Sequence, residues 1–177
     1  MKTPKLIRFV FAPTFVPFVI RALVLVSGLT ALTLTDTFDR LCKSPLISVN
    51  AWLAHHSLTL FGTKTTLSGG VVYSSDFSIE IVEGCTGLFV FILLLSATVA
   101  FPARWSLRLT GIGIGAAMIF VVNWARIVSL FYLGRAYPDL FEEFHVYVWQ
   151  GVIIVLVTLY WYTWALRFSG SDIASEA

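Results

Sequence analysis

The chain reads as an all-α polytopic membrane protein, with about four transmembrane helices, an outer interfacial helix and a short extracytoplasmic β-hairpin. Three observations predict this class. Hydrophobic residues make up 58% of the 177 residues and charged residues 12%, where soluble domains average about half and a quarter. Mean hydropathy is +0.85. Apolar runs of about 20 residues, the length that crosses a bilayer, occur four times, separated by Lys and Arg. The net charge of +2 says little, because placement of charge orients membrane proteins. Two cysteines do not make a disulfide framework.

The first span is expected from Pro17 to about Thr35, with Lys2, Lys5 and Arg8 ahead of it and Arg21 able to snorkel from its start. A basic start before an apolar run also describes a signal peptide. No A-x-A site follows in SGLTALTLTD, so the segment is read as an uncleaved anchor.

The stretch from Asp36 to Glu83 has structure of its own. Ser44-Pro45 suits a helix start, and Leu46, Val49, Trp52 and Leu53 recur at helical spacing, as in a helix lying along the outer surface of the membrane. GGVVYSSDFSIEIVEG alternates through Phe77 to Ile81 and carries turn residues at Ser74, Ser75 and Asp76. It reads as a hairpin leading into Cys85.

The second span is expected from Thr86 to about Ala103, stopped by Pro102, Arg104 and Arg108. The third runs from about Leu109 to Leu133. Its Gly111, Gly113 and Gly115 include a G-x-x-x-G pair that lets helices approach closely. The fourth runs from Val146 to Leu166 and ends at Arg167, with Tyr160 to Trp164 as an aromatic belt. Residues 1–16, the Arg104/Arg108 turn and the tail from Arg167 then hold the cations on one side, which the positive-inside rule makes cytoplasmic. The expected location is the plasma (inner) membrane, with both termini cytoplasmic.

In this arrangement three spans bring a thiol, a guanidinium and an imidazole to one outer level. Cys85 lies at the mouth of the second span, between Gly84 and Gly87. Arg126 is seventeen residues beyond Leu109, roughly 25 Å by helical rise. His145 opens the fourth span. An arginine within a span costs about 2.5 to 3.5 kcal/mol on insertion scales, so it faces the bundle interior and finds a partner. Asn123 shares its helical face, where it can orient a ligand or a neighbouring helix.

These groups suit acyl transfer through a thiol. A nearby guanidinium or imidazolium favours the thiolate that attacks a carbonyl carbon. His145 can take the thiol proton and return it to the departing amine. Arg126 stays protonated, so it serves as a stabiliser of negative charge and not as a base.

At Glu83-Gly84-Cys85-Thr86-Gly87-Leu88, Asn123-Trp124-Ala125-Arg126-Ile127 and His145, the sequence resembles the exosortase/archaeosortase family of membrane cysteine transpeptidases. The likeness covers about residues 65 to 167. It implies an enzyme that cleaves C-terminal sorting signals of exported, membrane-anchored proteins through a thioester and passes the acyl group to a surface acceptor. By the same likeness Cys85 is the nucleophile, His145 the general acid/base and Arg126 the electrostatic stabiliser. Asn123, Thr86, Gly87 and Glu83 take supporting or substrate-binding places. The active site would be extracytoplasmic. The chain then divides into an anchor and surface helix (1–62), a catalytic core (63–167) and a cytoplasmic tail (168–177) within one membrane domain.

Other readings compete. A non-catalytic membrane scaffold or assembly subunit would also carry polar residues that hold helices together. Cys42 is in the same outer compartment as Cys85, but a disulfide between them would disarm the thiol. His55, His56, Glu142, Glu143 and His145 lack any ligand spacing typical of a metal centre. No metal, cofactor or nucleic-acid partner is expected; the bilayer and the anchored substrate are.

Overall fold

A computed structural model describes residues 15–168. The basic residues Lys2, Lys5 and Arg8 and the end of the tail lie outside the described residues. The first expected span is helix α1, Phe15–Leu32. None of its residues is buried; it packs mainly along the helix Leu88–Ala100, α3, and through Phe18 it also touches the last helix at Trp161.

After α1 the chain turns and becomes helical again at Asp36, earlier than Ser44-Pro45 suggested. Thr35 caps this start, its hydroxyl accepting from the Phe38 amide at 3.3 Å. A five-residue π turn, Asp39–Lys43, follows and leads into helix α2, Ser44–Leu60. Ser44-Pro45 therefore marks a change of helical pitch and not a free start. The wider turn ahead of Pro45 accommodates the ring and the missing N–H that would strain a regular helix.

Helix α2 buries Asn50, Ala51, Ala54, Ser57 and Leu58, while Val49 and Trp52 face outward. Its small inward residues let it approach the long helix Trp105–Ala136, α4, to which it is also hydrogen-bonded. The Trp124 indole donates to the Ser57 hydroxyl at 2.9 Å, and Thr63 and Tyr132 share a bond of 3.2 Å. His55 and His56 bond to Thr65 and to the Trp52 carbonyl, and no metal-binding group of acids, cysteines and histidines forms among the described residues.

The expected hairpin is present as β2 (Val71–Tyr73) and β3 (Ser78–Glu80), and a third strand, β1 (Thr66–Ser68), adds to it in the order β1-β2-β3. Val72 and Ile79 pair across the ladder and both are buried. The hairpin turn is tied by Ser74 to the Asp76 carboxylate and the Phe77 carbonyl.

Arg135 reaches Asp76 at 2.6 Å and links the end of α4 to this turn. The Arg135 hydrogen bond holds the Asp76 carboxyl below its ordinary value. The link is therefore complete above the unfolded carboxylate value of about 3.9 and is lost as pH falls through the lower, folded value. Replacing Asp76 with Asn should lower the melting temperature at pH 7 by a small amount. Both groups are exposed, and salt screens them. The difference from the parent protein should shrink as pH falls below about 4; a difference constant with pH would contradict the ion pair.

Helix α3 is Leu88–Ala100 and helix α4 is Trp105–Ala136. A short 3₁₀ turn (Pro138–Leu140), one helical turn (Phe141–Glu143) and a π turn (Phe144–Val148) then lead into helix α5, Trp149–Phe168. Among the described residues three stretches are long and apolar enough to cross a membrane: Phe15–Leu32, Trp105–Ala136 and Pro138–Arg167. The second expected span is shorter. Its 13 helical residues rise about 20 Å, against a hydrocarbon core of about 30 Å. Gly87, with a φ of +75°, delays its start, and Phe101, extended beside Pro102, ends it.

Packing is layered along the bundle. At the sheet end Ala51, Ala54, Leu58, Val72, Ile127 and Phe131 gather around Cys85. In the middle Val90, Leu94, Ile119, Ile153 and Val157 join α3, α4 and α5. At the far end Phe101, Trp164 and Ala165 meet Phe18 of α1. Gly111 and Gly115 act as the G-x-x-x-G pattern requires, since a Cβ on Gly111 would run into Trp164 and one on Gly115 into Leu94 and Tyr160. Trp164 is buried and Trp161 stacks on Phe18. The aromatic cluster is therefore packing as well as belt.

Candidate active site

The turn that carries Cys85 is set by its neighbours. Glu83–Cys85 form one 3₁₀ turn, the Thr86 hydroxyl donates to the Glu83 carbonyl at 2.7 Å, and the same oxygen accepts from the Leu88 amide at 3.3 Å. Thr86 thus closes the turn and takes the first amide of α3, whose N-cap is Gly87. The Glu83 carboxylate is 2.9 Å from Lys43, so the π turn ahead of α2 holds it from outside. The free amides of the α3 N-terminus face this turn, and the positive end of the helix dipole favours negative charge there.

Gly87 completes the turn with a left-handed backbone. An added Cβ would stand 2.9 Å from Ile119 Cγ2. Gly87→Ala should therefore cost at least about 1 to 2 kcal/mol from the backbone conformation alone, with the clash added. Gly84→Ala is the control, because a methyl there meets nothing. Unfolding of both variants in detergent checks the contrast, and equal stability would refute the steric argument.

Cys85 is buried, 7% exposed, and its Sγ lies 3.5 Å from His145 Nε2. His145 sits in the π turn ahead of α5 and stacks on Phe141 with ring centres 5.8 Å apart. Its Nδ1 has no protein partner among the described residues. Cys85 and Cys42 are both free thiols.

Arg126 is 4% exposed and bridges the two segments. One guanidinium nitrogen donates to the Gly84 carbonyl at 3.4 Å and the other to the His145 carbonyl at 3.3 Å. Its charge is near enough to act on Cys85 and His145 electrostatically. Asn123, one turn earlier, donates to the Cys85 carbonyl at 2.5 Å and to Asn50 Oδ1 at 3.2 Å. Asn50 in turn donates to the Leu46 carbonyl. A chain of amides thus runs from α2 through α4 to the backbone of Cys85.

The sulfur and the imidazole share a cavity of about 360 Å³. Arg126 lines a separate one of about 330 Å³ on the other side, with Gly84 and Gln150. The guanidinium lies behind the Cys–His pair and not within its cavity. Asn50, Lys43 and Phe141 had no place in the sequence reading. Asn50 alone left a trace, as a polar residue beside Val49 and Leu53 in an otherwise apolar helix pattern.

A family description, Transmembrane exosortase, matches residues 6–164. The chain belongs to the exosortase family. The chain is also similar to a probable archaeosortase E from Methanocaldococcus jannaschii, at 28% identity over 112 residues. The match covers 63% of this chain and 60% of that relative. No solved structure matches significantly. The exosortase is accordingly a membrane protein, mostly helical, with a small three-stranded sheet.

Proposed function

We propose that this exosortase is a membrane cysteine transpeptidase that cleaves C-terminal sorting signals of exported proteins and transfers the cleaved protein to a surface acceptor. The observation that carries the reading is the 3.5 Å approach of Cys85 Sγ to His145 Nε2, from two elements sixty residues apart. Such a pair suits nucleophilic catalysis by proton exchange.

His145 takes the thiol proton, and the thiolate attacks the carbonyl carbon of the scissile peptide. The carbonyl π pair moves to oxygen, forming a tetrahedral oxyanion. Collapse of that intermediate breaks the C–N bond, and His145 returns the proton to the departing amine. A thioester remains on Cys85. An acceptor nucleophile then attacks the thioester, gives its proton to His145, and releases the thiolate, which recovers it.

Arg126 supports this sequence by fixing both carbonyl-bearing segments and by setting a permanent positive charge behind the thiolate. Asn123 and Thr86 hold the turn. In this reading the sheet end of the bundle faces the extracytoplasmic side, where exported substrates are found, and both termini are cytoplasmic.

Alkylation by iodoacetamide tests the nucleophile directly. Cys85 should react faster than Cys42 near neutral pH, although it is the more buried, and His145→Ala should slow Cys85 alone by about tenfold or more. Equal, slow labelling of both thiols would favour the scaffold reading.

A further inference from the structure

The cavity that holds Cys85 and His145 is longer than the pair requires. It is lined by β3 and its continuation from Phe77 to Val82, by Ile127 and Leu130, and by Pro138, Phe141 and Glu142. Strand β3 is the last strand of the sheet, so one of its edges has no neighbouring strand.

The register fixes what that edge offers. The Ser74 amide donates to the Phe77 carbonyl at 2.8 Å, and the Ile81 amide to the Gly70 carbonyl at 2.9 Å. Positions 77 and 81 therefore bond toward β2, and so does Ile79 between them, opposite Val72. The N–H and C=O groups of Ser78 and Glu80 point the other way, along the open edge. None of these four groups takes a backbone partner outside the sheet among the described residues.

Unpaired main-chain groups along an exposed edge are a template ready to pair with another extended chain. Here they line a groove that ends at a thiol. An extended peptide is the occupant that satisfies them, by adding a strand. Three residues of β3 span about 10 Å, so the edge engages about three residues of the incoming chain. The rim carries two carboxylates, Glu80 and Glu142, and no Lys or Arg lines the groove. A neutral or basic segment fits; an acidic one is repelled.

We propose that the open edge of β3 is a docking strand, which receives an extended, neutral or basic segment of the protein substrate by main-chain pairing and delivers its scissile carbonyl to Cys85. The proposal rests on Cys85 being the nucleophile. It adds that recognition next to the cleavage point is carried by backbone pairing, with side-chain choice left to the alternating positions and to the acidic rim.

The test uses the full chain in detergent or nanodiscs and a defined probe, acetyl-Ala-Lys-Ala-Val chloromethyl ketone, which alkylates a thiol by displacing chloride. Labelling of Cys85 is followed by mass spectrometry as a function of probe concentration. The expected rate saturates. Methylating the probe's amide nitrogens one at a time should slow labelling about tenfold at alternate positions, as loss of one main-chain bond predicts, and leave the intervening positions unchanged. Changing the probe's lysine to aspartate should slow it further.

Ser78→Pro removes one outward N–H, keeps both rim carboxylates and leaves the β2-bonded groups of Ile79 in place, as the first position of an edge strand allows. It should reduce peptide labelling about tenfold and leave iodoacetamide labelling of Cys85 as it was. Equal rates for the methylated and unmethylated probes would overturn the docking strand, whatever iodoacetamide does. Slow iodoacetamide labelling with the alternating methylation pattern retained would instead overturn the catalytic reading and keep the peptide site.

Discussion

Replacing Cys85 with alanine should lower processing of exported substrates by at least about 10³-fold, with little change in the amount of folded protein. The side chain is small and buried among Ala51, Val72, Ile79 and Ile127, where cysteine behaves as a compact apolar residue that alanine nearly fills. The backbone contacts that fix the turn, from Asn123 to the Cys85 carbonyl and from Arg126 to the Gly84 carbonyl, do not involve the sulfur. Only the chemistry is removed. Serine at this position should be nearly as poor, because an alcohol ionises far less readily than a thiol and the imidazole stands at a distance suited to sulfur. Mass spectrometry of substrate C-termini from cells carrying each variant gives the answer. Continued processing by Cys85→Ala would remove the central claim.

Arg126→Lys should lower kcat about 10²-fold, the scale seen when reacting groups are misplaced by about 1 Å. The charge is conserved in this change, but the geometry is not. A planar guanidinium reaches the Gly84 and His145 carbonyls with two different nitrogens, whereas an ammonium is a single point on a flexible stem. Lysine can hold one of the two segments, so the sulfur and the imidazole lose their common frame. Arg126→Ala should also destabilise the protein by about 1 to 2 kcal/mol, since the Gly84 and His145 carbonyls lose partly buried, charge-assisted donors. Steady-state kinetics with unfolding in detergent separates the two effects. A lysine variant with the parent's kcat would show that charge alone suffices.

Much of this site was legible because membrane spans convert sequence position into depth. Cys85, Arg126 and His145 were each placed by counting from a span boundary, and helical rise then set them at one level. What counting does not give is contact. The Asn50 to Asn123 bond joins residues 73 apart, and the Lys43 to Glu83 pair joins two loops; neither has a periodic signature. Strand β1 is three residues, Thr66–Ser68, too short to alternate visibly. The late start of α3 follows from the left-handed backbone at Gly87, which a hydropathy run conceals. The edge of β3 could not be read either, because which amides point outward depends on register with β2.

The π turn at Phe144–Val148 has a further consequence for how this segment can change over evolutionary time. It accommodates one residue more than a regular helical turn, and each residue of a regular helix turns the chain by about 100°. A single deletion there would convert the bulge to ordinary helix and swing the imidazole away from the sulfur without disturbing any apolar contact of α5 below it. Apart from His145 itself, substitutions in this stretch can be absorbed by local repacking, but loss of one codon cannot; the length of the segment before the last helix is therefore as strict a constraint as the imidazole it carries.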